Sequence, residues 1–228
     1  APATAFSQSG GAWVNVNGGD DGFTAVNPSN DSEWFLGTPP DGLSGVNLFR
    51  CANGISCHGQ DFQSDPIADS SVLGGDSGPF YLPFILDPQN AASILAGTCR
   101  VWRGPSTGGM FTLLSPNFET GSGGCTGGET NTVRTLAAGG VVDVNGLSQV
   151  IYVGTNGEGP LIPTTPRGGH VWVTTNADAG PQSWFDITQG INPQGFPISS
   201  IALDAGDPLG KTAYVGIMGF HTAHVWKT

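Results

Sequence analysis

The sequence predicts an all-β fold built from a repeated unit of four strands, and three features support this prediction. Only 11% of the 228 residues are charged, while 37 glycines and 17 prolines interrupt the chain. Long amphipathic helices need uninterrupted stretches with a charged outer face, so strands and turns should dominate. The other two features are a glycine that recurs about every 60 residues and an aromatic residue that recurs after it.

The recurring glycine ends a short β-rich run, which we take as the second strand of each unit. An apolar stretch that closes in Asn or Asp precedes each run and is predicted to be the innermost strand. The second-strand runs are 33–37, 93–97, 150–154 and 212–216, and the inner strands are 23–28, 84–88, 141–145 and 201–204. Third strands centre on Phe49, Trp102, Trp172 and Trp226, and fourth strands are predicted at 110–113 and 184–187.

Tandem four-stranded meanders of this length, with uncharged inner strands, are typical of the blades of a β-propeller. Radial stacking lets each twisted sheet bury the aromatic residues of its neighbour. A β-sandwich would also contain many short strands, but it would not require the regular glycine spacing. The predicted blades are about 17–63, 74–125, 133–190 and 196–228, with an additional N-terminal strand at 12–16.

The two ends of the sequence are complementary. Residues 12–16 resemble the fourth strand at 184–187, whereas the sequence stops after a third strand. Either the N-terminal strand completes the last blade, or the chain is a segment or half of a larger ring. We favour the second interpretation, in which another chain supplies the remaining blades.

Four cysteines allow three disulfide pairings. Cys51 and Cys57 flank a short loop with an Asn-Gly turn, so this pair is favoured, which leaves Cys99 to pair with Cys125 across two predicted strands. Four buried free thiols are the alternative. An even number of cysteines in an acidic chain with very little lysine indicates a secreted or otherwise extracytoplasmic protein.

Charge excludes one class of partner. The net charge of −11 and an isoelectric point near 4.3 would repel nucleic acid, whose binding requires Lys and Arg to neutralise phosphates. Apolar runs long enough to cross a bilayer are also absent from the sequence. The expected partner is therefore a protein or a glycan.

One turn motif suggests a family. The segment 175–184 loosely matches the pattern Ser/Thr-x-Asp-x-Gly-x-Thr-Trp with extra residues in the turn, and 7–13 matches it with serine in place of aspartate. In these motifs the chain resembles the BNR or Asp-box propellers, a superfamily of sialidases, sortilin-type domains and xyloglucanase-like hydrolases. The resemblance implies a propeller fold with structural motifs on its rim, and it does not imply an activity.

Two Gly-Asp segments carry the candidate chemistry. Asp20 and Asp21 within 18–22, and Asp76 within 74–78, precede equivalent inner strands. Such carboxylates suit an inverting glycosidase if they face each other across a cleft, or a calcium site if their oxygens converge. Aspartates that accept backbone N–H bonds in turns are the third interpretation, and we predict structural or weakly calcium-binding turns.

The remaining titratable residues fit framework roles. Arg50 and Arg103 flank equivalent aromatic residues, and His170 and His224 both lie two residues before a tryptophan. We therefore assign no catalytic residue and no cofactor other than calcium. The predicted function is a non-catalytic interaction or structural scaffold, and the alternative is a glycoside hydrolase of the sialidase or xyloglucanase-like propellers.

Overall fold

The protein is all-β in a computed structural model that describes residues 4–6, 12–14, 16–18, 22–39, 45–119, 125, 130–159 and 168–228. Its strands form three antiparallel four-stranded sheets, one three-stranded sheet and one two-stranded sheet. In each four-stranded sheet, strands that are consecutive in the chain are also neighbours. These sheets are the blades of a propeller, which confirms the predicted fold class.

Blade 1 contains β3 (Thr24–Asn27), β4 (Asn30–Thr38), β5 (Asn47–Cys51) and β6 (Pro66–Asp69). Blade 2 contains β7 (Phe84–Leu86), β8 (Ser93–Gly97), β9 (Val101–Pro105) and β10 (Thr112–Leu113). Blade 3 contains β11 (Val133–Val142), β12 (Ser148–Thr155), β13 (Val171–Thr174) and β14 (Trp184–Asp186). Blade 4 contains β15 (Ile198–Leu203), β16 (Ala213–Ile217) and β17 (Val225–Lys227).

The N-terminal strand lies outside the last blade. β1 (Thr4–Phe6) and β2 (Ala12–Val14) pair with each other, so the strand predicted at 12–16 does not add to β17. Helices are short: α1 (Gly59–Gln63) lies between β5 and β6, and 3₁₀ turns occur at Gly54–Ser56, Ala177–Ala179 and Pro181–Ser183.

Blade 1 ends later than the sequence indicated. Its fourth strand, β6, lies wholly after residue 63, where the sequence placed the end of that blade.

Strand register confirms that the aromatic residues are equivalent. Phe49, Trp102, Trp172 and Trp226 each pair with the residue just before the recurring glycine of the neighbouring second strand. Because alternate residues of a strand point to opposite sides, these aromatic side chains share one side of their blades. We call this side the front face, which is turned toward the preceding blade, and the other side the back face.

Three apolar cores lie between consecutive blades, and a fourth cluster, of Leu36, Cys51, Cys57 and Phe62, lies on the front face of blade 1. The back face of blade 1, the front face of blade 2 and their flanking loops form one core. The blade 2 to blade 3 and blade 3 to blade 4 contacts form two more. The recurring glycines permit this approach, because a Cβ on Gly97 would overlap Val133 and a Cβ on Gly154 would overlap Ile198 of the next blade.

Both predicted disulfides are present. Cys51 is bonded to Cys57 beside α1, and Cys99 is bonded to Cys125 near the start of β9. Among the described residues no free cysteine remains. In that same part of the chain, no helix has the length and apolar character needed to span a membrane.

Candidate functional site

The loops at one edge of the blades form the candidate site. In an antiparallel meander the first strand begins and the second strand ends at the same edge, so the loops before β7 and β15 lie on the same side as those after β8 and β16. We call this edge the loop face. Its described part includes 70–83, 98–100, 156–159, 168–170, 187–197 and 218–224, and the opposite edge is the turn edge.

Asp76 is the most buried acidic group of the loop face, with 1% of its surface exposed. Its Oδ2 accepts hydrogen bonds from Oγ1 of Thr98 at 2.7 Å and Nε1 of Trp102 at 2.9 Å. Its Oδ1 pairs with Nη1 of Arg100 at 2.5 Å. A carboxylate removed from water needs partners of this kind, so the cluster fixes the loops of blade 2 to one another.

The structure places one of the three aspartates that the sequence singled out. Asp20 and Asp21 lie outside the described residues. The next residue is Gly22, and a Cβ built on it would lie 3.2 Å from Cδ1 of Tyr81. Gly22 therefore lies against the loop that follows Asp76. Calcium binding by the three aspartates stays a prediction.

The Cys99–Cys125 disulfide adjoins the Asp76 cluster. One oxygen of Asp76 and the two sulfur atoms lie within 4.8 Å of one another. These sulfurs are bonded to each other, so they are not thiolates that could hold a metal. The N–H of Ser77 donates to the carbonyl of Cys125 at 3.3 Å, which joins residue 125 to the Asp76 loop.

Exposed aromatic side chains lie close to this cluster. Phe80 and Tyr81 are each about half exposed, and their rings meet edge to face with centroids 4.8 Å apart. Across the loop face, Met218 and Phe220 follow β16 and are also exposed. Aromatic residues are enriched at protein interfaces, so the ring pair of Phe80 and Tyr81 is a candidate contact.

A cavity of about 420 Å³ opens on the loop face of blade 3. At its wall, Nδ1 of His170 lies 2.7 Å from Oδ2 of Asp186, and the hydroxyl of Thr188 donates to Oδ1 of the same carboxylate at 2.5 Å. Its lining consists of His170, Asp186, Thr188, Gln189, Gly190, Asn192 and Pro193. This polar site is suited to hydrogen bonding of a small or extended ligand.

Electrostatics at this cavity favour an ionised carboxylate. Burial opposes ionisation of Asp186, but hydrogen bonds from His170 and Thr188 outweigh it and lower the pKa of Asp186 below its usual value. His224 occupies the equivalent position in blade 4, where its Nδ1 lies 3.0 Å from the carbonyl of Ile217. The sequence assigned both histidines to the framework and missed this difference, because the partner of His170 comes from the fourth strand of the blade.

The turn edge contains a second buried ion cluster. Asp87 accepts hydrogen bonds from the backbone N–H and the hydroxyl of Ser148 in blade 3, at 2.9 and 2.5 Å. Arg103 lies 3.6 Å from Asp87 and 3.4 Å from Asp178. Burial lowers the pKa of the Arg103 guanidinium, although these acidic neighbours oppose the shift. Arg103 is thus a scaffold residue, as the sequence indicated, and it links blade 2 to blade 3.

The fold and its loop face define a β-propeller module, and the superposition on one enzyme structure supports that class. A GH74 enzyme of Niastella koreensis superposes with a TM-score of 0.55 at 16% identity, over 86% of this chain and 26% of its own. Sqt1 of Chaetomium thermophilum, bound to the N-terminus of the ribosomal protein L10, gives a TM-score of 0.43 at 16% identity, over 84% of this chain and 41% of Sqt1.

The present chain thus spans about a quarter of the length of the GH74 enzyme. No family model matches the sequence, and no curated protein does. At such identities the likeness concerns the fold.

Proposed function

We propose that the chain is a non-catalytic propeller module of an extracytoplasmic protein, which binds a protein or glycan partner through its loop face. The observation that carries this proposal is the pair of exposed rings of Phe80 and Tyr81 beside a saturated, buried Asp76. Exposed aromatic groups supply contact area, while the buried cluster fixes the loop that presents them.

The state of Asp76 supports a scaffold over a hydrolase. A glycosidase acid or base must reach the substrate, and its two carboxylates stand about 6.5–9.5 Å apart in inverting enzymes. Asp76 is instead paired with Arg100 and accepts bonds from two other side chains. Substrate access would require these contacts to break, which is costly for a buried charge.

The charge of the chain limits the kind of partner. A net charge of −11 favours neutral or basic surfaces over polyanions. Neutral glycans and basic protein segments both meet this condition. The aromatic pair can pack on the apolar side of either ligand, and the polar cavity beside His170 offers hydrogen bonds on the same loop face.

Family and location belong to the same proposal. The turn at 175–184 supports membership of the BNR or Asp-box propellers, since Trp184 is buried and its Nε1 donates to the carbonyl of Leu114 at 2.8 Å. Oγ1 of Thr174 lies 2.8 Å from the hydroxyl of Ser183 across this turn. The two disulfides support secretion or another oxidising location.

The acidic turns are proposed to be structural or weakly calcium-binding. Carboxylate oxygens suit Ca²⁺, and extracellular modules bind it with dissociation constants of about 0.1 to 1 mM. If Asp20, Asp21 and Asp76 share an ion, about 5 mM CaCl₂ should raise the melting temperature of the wild type and leave that of Asp21→Asn unchanged. An equal rise in both proteins would contradict a shared site.

A binding assay tests the loop face. Glycan and peptide arrays probed with the labelled chain should yield ligands that the Phe80→Ala/Tyr81→Ala variant binds at least about tenfold more weakly. Met110→Ala is the matched control, because Met110 is a highly exposed apolar residue near the turn edge. Ligands lost equally in both variants, or in neither, would contradict a role for the loop face.

A further inference from the structure

The cavity beside His170 is held in shape by hydrogen bonds between its own walls. His170 precedes β13, and the rim of the cavity belongs to the loop that leads from β14 to blade 4. Within that loop, the carboxamide of Asn192 donates to the carbonyls of Gly169 at 2.6 Å and Phe196 at 2.7 Å, and it accepts from the N–H of Phe196 at 3.1 Å. Asn192 is 6% exposed, so the cavity is preformed and a ligand need not order it.

Hydrogen bonding sets the roles of the two ring nitrogens of His170. Nδ1 lies 2.7 Å from Oδ2 of Asp186, and an ionised carboxylate can only accept. The hydrogen is therefore on Nδ1, and in the neutral ring Nε2 is an acceptor. Thr188 fixes this carboxylate, because its N–H and its hydroxyl donate to Oδ1, while the hydroxyl accepts from the N–H of Val171 at 2.8 Å.

Acceptors and negative charge therefore dominate the cavity. The side chains of His170 and Asp186 are 36% and 35% exposed, so a ligand can reach both. Asp186 is ionised at neutral pH, because its pKa lies below the usual value. Among the described residues that line the cavity, none is a lysine or an arginine. A ligand that brings a positive charge and several N–H donors complements such a site.

Blade 4 provides an internal comparison. His224 occupies the position equivalent to that of His170, but its Nδ1 lies 3.0 Å from the carbonyl of Ile217. A carbonyl has no net charge, so the repeat accommodates a histidine here without an acidic partner. Asp186 is therefore the feature that distinguishes the histidine of blade 3.

We propose that this cavity binds the ammonium or guanidinium group of a lysine or arginine side chain from a protein partner. An N–H of the cation donates to Nε2 of His170, and the carboxylate of Asp186 compensates the positive charge. A volume of about 420 Å³ accommodates such a group, and the net charge of −11 favours the approach of a basic segment. This inference rests on the proposed function and selects a basic protein segment over a glycan as the partner.

NMR of the imidazole nitrogens in the 228-residue chain, at about pH 7.5, measures binding at the site itself. The His170→Ala variant identifies the Nε2 resonance by its loss. The methylamides of N-acetyl-lysine and N-acetyl-arginine should shift this resonance with dissociation constants of about 1 mM, and the neutral norleucine and citrulline analogues should not. A pentapeptide with a central lysine should bind at least about threefold more tightly than methylammonium, a free amine, because its backbone adds contacts at the rim.

Charge-matched variants, compared at equal concentrations of folded protein, separate this site from the general attraction of an acidic protein. Asp186→Asn should weaken binding of the lysine peptide at least about tenfold, whereas Asp207→Asn removes one charge from a turn of blade 4 and should leave it unchanged. An unshifted Nε2 resonance, equal effects of the two variants, or tighter binding of methylammonium than of the peptide would overturn the proposal. Array ligands that depend on Phe80 and Tyr81 but not on Asp186 would also overturn it, while leaving the proposed function of the loop face intact.

Discussion

Asp76 and Asp87 are both buried aspartates of blade 2, yet they lie at opposite edges and have different tasks. Asp76, on the loop face, binds side chains of its own blade: Thr98, Arg100 and Trp102. Asp87, on the turn edge, binds Ser148 of blade 3 and faces Arg103.

The comparison separates two uses of a buried carboxylate in a repeat fold. One fixes a loop within its blade, and the other joins two blades. In both cases an arginine compensates the charge, as burial requires. The ion pair of Asp87 and Arg103 lies at the turn edge, away from the candidate site, and its role is structural. The ion pair of Asp76 and Arg100 can therefore be explained by folding alone, without a catalytic role.

The largest loss of stability is expected for Asp87→Asn. This change leaves Arg103 buried without Asp87, the fully buried one of its two acidic partners, and it should lower the free energy of unfolding by about 3–5 kcal/mol. Urea unfolding measures the change. Asp207→Asn is the control, since Asp207 accepts hydrogen bonds from Leu209 and Lys211 of its own turn in blade 4. Equal losses in both variants would contradict a special role of the contact between blades.

The two disulfides should differ in their contribution to stability. Cys99 and Cys125 are 26 residues apart, whereas Cys51 and Cys57 are 6 apart. Loop-closure entropy therefore predicts that replacing the first pair by alanine costs about 3–4 kcal/mol and the second about 2 kcal/mol. Urea unfolding of the two double variants measures both values, and a reversed order would show that the loss of loop entropy is not the main cause.

Asp76→Asn should be milder than Asp87→Asn. It removes the charge opposite Arg100, whose side chain reaches solvent in part, and keeps an oxygen for Thr98 or Trp102. We expect a loss of about 2–3 kcal/mol in urea unfolding. A loss larger than that of Asp87→Asn would reverse the comparison between the two edges.

The smallest effect concerns the pH dependence of stability. The pKa of Asp186 is lower in the folded state than in the unfolded state. Its ionised side chain therefore stabilises the fold at pH values above the unfolded pKa near 3.9, and this stabilisation is lost as the pH falls through the folded pKa. Asp186→Asn should therefore flatten the decline of melting temperature below about pH 4. If the melting temperature of Asp186→Asn declined below about pH 4 as steeply as that of the wild type, the hydrogen bonds of Asp186 would not stabilise the fold.

The repeat made the fold predictable from the sequence. A recurring glycine is expected where the next blade packs closely, and Gly97 and Gly154 lie at such positions. The aromatic residue of each third strand pairs with the residue just before this glycine. Both disulfides were also predictable, since two strands and one short loop left few alternatives.

The candidate site was less predictable, because its contacts join positions whose distance in space depends on loop conformation. The sequence singled out Asp76 but did not indicate that Arg100 and Trp102 would neutralise and saturate it. It also treated His170 and His224 alike, although only blade 3 has a fourth strand that brings an aspartate to the histidine. Local patterns define blades, whereas side chains from separate loops define the site.

The most direct test of the central claim, a loop face that binds without catalysis, is an assay of reducing ends released from xyloglucan and related β-glucans. It compares the wild type with Asp76→Asn at equal concentrations of folded protein, checked by circular dichroism. We predict no release above the blank by either protein. Release by the wild type that Asp76→Asn abolishes while remaining folded would contradict the account and make Asp76 a catalytic group.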